Sequence, residues 1–173
     1  MRVMMQNPTN PDNEVDTRWT QPLDRNFFEY LLELEVRKAT RYLYYFSLLV
    51  VQLDRLKGLA DGPGEEDVHR RLGFLMRDEI RGTDLLGKRR DNSFFIVLHY
   101  TDLENAIKVA QRIRERIEHY TFETGKENNH RTISIGVSCF PTTANDVAGL
   151  IQRAEQLLMN AQGKGGNLVS VPE

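Results

Sequence analysis

An α+β fold, with a mainly antiparallel central sheet of about five strands flanked by helices, follows from three observations. Helical and strand periodicities alternate along the chain, and the strand-like runs are short and apolar. Two of those runs, Asp84 to Lys88 and Phe94 to His99, are joined by a polar tip from Arg89 to Ser93, as in a hairpin. The order is a helix, then β-α-β-β-α-β, then a further helix and strand, which is the split βαβ of ferredoxin-like sheets.

Residues 1–16 are polar, with Pro8 and Pro11 among Asn, Thr and Asp, and read as a flexible leader to a single domain over residues 17–173. From Asp24 to Tyr42, Phe28, Leu31, Leu32, Ala39 and Tyr42 recur at helical spacing, with Asp24 placed to cap the first turn. Tyr45 to Leu53 is apolar enough for a strand covered on both faces. Ala60-Asp61-Gly62-Pro63-Gly64 signals a turn, and Glu65, Glu66 and Asp67 open a helix that runs to about Arg81. Leu103, Ala106, Ile107, Ala110, Ile113 and Ile117 form one face of the next helix. Thr132 to Cys139 alternates as a strand ending at Pro141. Val147 to Ala161 is the last helix, stopped by Gly163, Gly165 and Gly166, and Leu168 to Val171 adds a short strand.

Composition narrows the function classes. The chain has 173 residues, 23 Lys+Arg against 25 Asp+Glu, and a formal net charge of -2, so it lacks the basic excess of a nucleic-acid backbone binder. No apolar run is long enough for a signal peptide or a membrane span, so a cytoplasmic protein without membrane or DNA partners is expected. The single cysteine, Cys139, excludes an intrachain disulfide and alternates with core positions. His69, His99, His119 and His130 have no metal-ligand spacing and read as surface or strand residues. Lys108, Arg112, Arg114 and Arg116 fall on the polar side of their helix. Trp19 is the one large aromatic in the polar leader, placed to pack on the domain or to anchor a partner.

Several short motifs occur in one order. Glu35 through Tyr42 parallels ExxRAxRY, Gln52-Leu53-Asp54-Arg55-Leu56-Lys57 parallels DLDxFK, and Thr132 through Val137 matches TxSIGV. Thr17-Arg18-Trp19-Thr20 stands where DPLT would, with only Thr20 in common. Together they make the chain resemble a GGDEF (diguanylate cyclase) domain from about Thr17 to Val169, with the palm-like variant of the ferredoxin-like sheet. In that family two GTP-loaded domains condense their substrates into cyclic di-GMP, with divalent metal offsetting charge at the reacting phosphate.

The resemblance implies metal carboxylates at two positions that here are Gln52 and Asn92. Amides coordinate but bring no negative charge. The signature pentapeptide reads Arg90-Asp91-Asn92-Ser93-Phe94, so Arg90 and Asp91 replace the glycines that let the backbone approach phosphate. The guanine-reading Asn corresponds to Ala60, its partner Asp to Glu66, and the phosphate-holding Lys and Arg of YxAKxxGRN to Gln162 and Gly166. Lys57 keeps its phosphate-contacting place, with Lys164 nearby. Asp54 and Asp91 are the remaining candidates for a substitute metal pair, although Asp91 reads as a solvated hairpin aspartate. Losing both charged ligands and most phosphate contacts removes the electrostatic stabilisation on which such chemistry depends. No catalytic residue, metal or Mg²⁺ cofactor is therefore expected.

The family also has a product-binding inhibitory site built on RxxD. Arg81-Gly82-Thr83-Asp84 ends six residues before Arg90, which is the family register, and Arg112 occupies the matching helical position in Ala106 through Arg114. A guanidinium can fork to phosphate or to guanine O6 and N7 and can stack on a purine. A carboxylate can accept from the guanine N1–H and N2–H edge. An Arg and an Asp three apart at a helix end are also commonly a plain surface ion pair. The expectation is a catalytically inactive GGDEF domain that receives cyclic di-GMP through Arg81, Asp84 and Arg112. It would signal to partner proteins, with a ligand-linked homodimer as one outcome. The alternatives are an interaction module that binds no nucleotide and a weak GTP-binding relic.

Overall fold

The computed structural model describes residues 22–54, 64–89, 93–124 and 127–172. The first element is α1 (Arg25–Tyr42), whose N-terminal N–H of Phe27 donates to the Asp24 carboxylate at 3.1 Å, the expected cap. It leads into β1 (Phe46–Leu53), the middle strand of a five-stranded sheet. Then come α2 (Glu65–Asp78), the hairpin strands β2 (Leu85–Lys88) and β3 (Ser93–Leu98), and α3 (Leu103–Glu118). A separate two-stranded ribbon, β4 (Thr121–Thr124) and β5 (Glu127–His130), precedes β6 (Ile133–Phe140). The chain closes with α4 (Val147–Gly163) and β7 (Val169–Ser170).

The sheet order is β2-β3-β1-β6-β7, with β1 antiparallel to both β3 and β6, and β7 parallel to β6. This is the α+β, mainly antiparallel architecture implied by the sequence. Alternation along β1 divides the core into two layers. Leu49 and Val51 face α2 and α3, packing with Leu72, Met76, Ala110 and Ile113. Leu48 and Val50 face α1 and α4, packing with Phe28, Leu32, Leu150 and Ala154. Gly136 permits the closest approach in that second layer, because a Cβ there would lie 1.9 Å from the Ala154 carbonyl oxygen.

Several boundaries differ from those expected. The α2 helix ends at Asp78, since Glu79 through Thr83 turn back to place Asp84 ahead of β2. Ser93, read as part of the hairpin tip, is the first residue of β3 and fully buried. The β4–β5 ribbon was not anticipated: Glu127-Asn128-Asn129-His130 has no apolar alternation to mark a strand. The leader and Trp19 lie outside the described residues. No described helix is long and apolar enough to cross a membrane.

Candidate functional site

The β2–β3 hairpin has two ends, and the sequence-predicted positions divide between them. At the tip end, β1 carries Gln52 between Ser93 of β3 and Ser134 of β6. The Gln162 side chain, from the last turn of α4, donates its Nε2 to Gln52 Oε1 at 2.9 Å. Two positions that the resemblance gives to a metal carboxylate and a phosphate ammonium are thus a neutral amide pair.

Just beyond β1, Asp54 ties three segments together. It accepts from Ser134 Oγ at 2.6 Å, Thr132 Oγ1 at 2.8 Å and the Asn167 backbone N–H at 2.8 Å. Gly166 lies against this carboxylate with φ of 79°, and a Cβ there would sit 2.9–3.0 Å from its atoms. The residue that stands where an arginine was implied is the one that this approach and backbone conformation favour. Glu66 is exposed at the border of a cavity of about 280 Å³, with Pro22, His69, Arg70, Phe74, Lys88 and Phe94. Lys57, Ala60, Arg90, Asp91 and Asn92 lie outside the described residues. The described donors do not suit Mg²⁺: Gln52 and Gln162 bring no charge, and Asp54 already serves three protein donors.

At the opposite end of the hairpin, the loop from Glu79 to Asp84 is closed from within. The Asp84 N–H donates to the Arg81 carbonyl at 3.0 Å, and the Asp84 carboxylate accepts from the Arg81 N–H at 2.9 Å. Arg77 fastens the same loop, donating to the carbonyls of Asp84 at 2.8 Å and Gly82 at 3.0 Å. Arg81 is exposed, and its guanidinium has no partner among the described residues. Arg112 reaches across from α3 to the Glu79 carboxylate at 2.7 Å and to the Glu79 carbonyl. Arg116, one turn on, approaches the other Glu79 oxygen at 3.9 Å. The structure therefore gathers Arg81, Asp84 and Arg112 around one loop, but their side chains point differently. The two arginines face solvent, while the Asp84 side chain is 4% exposed and turned into the protein.

Beneath Asp84 lies a cluster that the sequence reading did not find. The His99 N–H donates to Asp84 Oδ1 at 3.1 Å, and the His99 ring stands between two buried carboxylates. Nδ1 is 3.8 Å from Asp84, an ion-pair distance too long for a hydrogen bond, and Nε2 is 3.3 Å from Glu35 Oε2 on α1. Glu35 also accepts from Tyr44 Oη at 2.8 Å and pairs with Lys38 at 3.5 Å. Asp84 and then Glu35 raise the His99 imidazole to a pKa of about 9 against the opposing effect of burial. Burial pushes both carboxyls up, but the charged His99 ring and hydrogen bonds together outweigh it and leave each below its ordinary value: Tyr44 donates to Glu35, and the Arg81 and His99 N–H groups donate to Asp84. Thus His99 is no simple surface or strand residue. One signal was available: Glu35 falls on the apolar face of α1 with Leu32 and Ala39, and a buried carboxylate needs a cation.

The comparisons agree with this architecture. The description "Diguanylate cyclase, GGDEF domain" matches residues 16–168. Diguanylate cyclase DosC of Escherichia coli is 27% identical over 156 residues, covering 88% of this chain and 34% of that protein, so the chain spans about a third of this relative's length. Among solved structures, the GGDEF domain of Pseudomonas aeruginosa YfiN (TpbB) superposes with a TM-score of 0.83 at 20% identity, covering 90% of this chain and 92% of that one. The GGDEF domain of Caulobacter crescentus DgcB, in complex with c-di-GMP, gives 0.79 at 16% identity, with 98% of each chain covered. The order of elements, the sheet, the ordered motifs and the match over residues 16–168 lead to one conclusion: this chain belongs to the GGDEF, diguanylate cyclase-type, family.

Proposed function

We propose that this GGDEF domain is catalytically silent and acts as a receptor for cyclic di-GMP, bound at the hairpin end that carries Arg81 and Arg112. The observation that carries the reading is the exposed Arg81 guanidinium, without a partner among the described residues, on a loop fastened by Arg77 and Asp84, with Arg112 and Arg116 beside it. A fixed backbone presenting a free guanidinium favours a dianionic, guanine-bearing ligand, because little loop ordering is needed on binding. Arg112 would contribute by exchanging part of its contact with Glu79 for ligand phosphate. The silence rests on the Gln52–Gln162 amide pair and on Asp54, whose carboxylate already has three donors. Incubation with GTP and Mg²⁺ or Mn²⁺ should yield no cyclic di-GMP by chromatography, and steady product formation would contradict the silent reading.

A second reading, an interaction module that binds no nucleotide, is favoured by Asp84. Its carboxylate is turned inward toward the N–H groups of Arg81 and His99, so a guanine edge would have to compete for it. Calorimetric titration separates the two readings: saturable heat with cyclic di-GMP, and none with cyclic di-AMP, supports the receptor. Signalling through partner proteins or a ligand-linked dimer belongs to the same proposal.

A further inference from the structure

We propose that His99 is the positioning residue that couples the Arg81–Asp84 loop to the C-terminal end of α1, so that ligand occupancy at the loop and packing of the α1 end form one equilibrium. The inference rests on the receptor reading for its ligand, but the coupling stands on contacts of its own.

The contacts form one chain. Asp84 holds the N–H groups of Arg81 and His99, and the His99 ring bridges Asp84 to Glu35 of α1. Glu35 in turn accepts from Tyr44, whose ring packs on Tyr100 with centroids 4.5 Å apart. Both carboxylates in this relay are buried: Glu35 is 2% exposed and Asp84 5%. Water therefore offers little substitute for a lost partner, and a change at one end is passed on. The far end is a surface in its own right. Leu43 and Tyr100 both have positive φ, at 55° and 49°, and are 88% and 73% exposed, beside exposed Tyr42 and Tyr45.

A specific competition links the ends. The Asp84 carboxylate can serve His99 or the N1–H and N2–H edge of a bound guanine, but its burial limits doing both. A ligand that draws on Asp84 loosens His99, and the imidazolium then shifts its hold toward Glu35, where Tyr44 already donates. By reciprocity, weakening the Glu35 end must alter ligand affinity, even though Glu35 lies on another element from the ligand arginines. Replacing the Glu35 carboxylate removes one of the two anions that keep His99 charged. An imidazolium displaced from Asp84 by the ligand then has no second carboxylate to turn to, and the ligand binds more weakly.

The test uses the full chain, with Glu35→Gln and Tyr44→Phe as variants, and has two arms. The first is amide hydrogen exchange without ligand. The Arg81 and His99 amides, both donors to Asp84, should exchange roughly fivefold or more faster in Glu35→Gln, and less so in Tyr44→Phe. The Asn167 amide, bonded to Asp54 at the other end of the hairpin, is the internal control and should keep its wild-type rate. Unchanged exchange at Arg81 and His99, or equal acceleration at Asn167, overturns the coupling. The second arm is the cyclic di-GMP titration, where Glu35→Gln should bind roughly fivefold more weakly than wild type. Equal or tighter affinity in that variant overturns the regulatory link. If wild type shows no saturable binding, the receptor reading fails, and the first arm alone decides whether the loop and α1 are coupled.

Discussion

The Gln52 amide, near the end of the middle strand, accepts from Gln162 of α4, two neutral groups where the family resemblance implies a metal carboxylate and a phosphate-holding ammonium. Asp54, next along the chain on the same side, has become a structural clasp joining the ends of β1 and β6 to the loop before β7. Hydrogen bonds to a carboxylate contribute roughly 1.5–3 kcal/mol each. Asp54→Ala should therefore lower unfolding free energy by about 3 kcal/mol or more in urea titration, and Asp54→Asn by less, because an amide still accepts. Arg81 has the opposite character: its backbone closes the loop with Asp84, but its guanidinium has no partner among the described residues. Arg81→Ala should leave the urea midpoint within experimental scatter while weakening cyclic di-GMP roughly ten- to a hundredfold, the loss of one or two charge-assisted hydrogen bonds. Sequence alone made the Gln52, Gln162 and Gly166 replacements visible. It could not show that Gln52 and Gln162 bond to each other, or that Asp54 sits where Gly166 must lack a Cβ, because those meetings depend on tertiary placement.

Among the elements, α1 is joined to the hairpin by more than apolar packing. The imidazolium of His99, held between Glu35 of α1 and Asp84 and flanked by Lys38 and Tyr44, gives stability a pH dependence. Its folded pKa is raised to about 9 from 6.5, so its contribution is complete below about pH 6.5 and is lost as pH rises through about 9. Glu35 and Asp84 are shifted down, so their contributions are present above their ordinary values and are lost as pH falls through the folded ones. Thermal unfolding should thus show a maximum near pH 5–7 and a decline between pH 7 and 9 that disappears in His99→Gln. A flat wild-type profile over pH 7 to 9 would show that the imidazole is not held charged. The helices were legible in the sequence because apolar faces and the Asp24 cap of α1 are local; the structure adds Asp102 and Asp146 as the caps of α3 and α4. The β4–β5 ribbon was not, because pairing of polar strands depends on partners and not on alternation.

At the scale of the whole molecule, one sheet separates two apolar layers and keeps the two candidate sites at opposite ends of the same hairpin. The close approach of α4 to β6 depends on Gly136, whose replacement by alanine would drive a Cβ into the Ala154 carbonyl. Gly136→Ala should lower stability by about 3 kcal/mol or more, with losses at the Gln52 edge, because α4 carries Gln162. The fold class and family were readable over almost the full chain because ordered motifs and element order survive the loss of individual site residues. The functional reading turns on whether the Arg81 end still takes its ligand. Calorimetric titration of the intact chain with cyclic di-GMP, run beside Arg81→Ala, tests this most directly. The account predicts saturation at a dissociation constant on the order of 1 μM, about 8 kcal/mol, weakened at least tenfold in the variant. Absence of saturable heat in wild type, or equal affinity in Arg81→Ala, would contradict it.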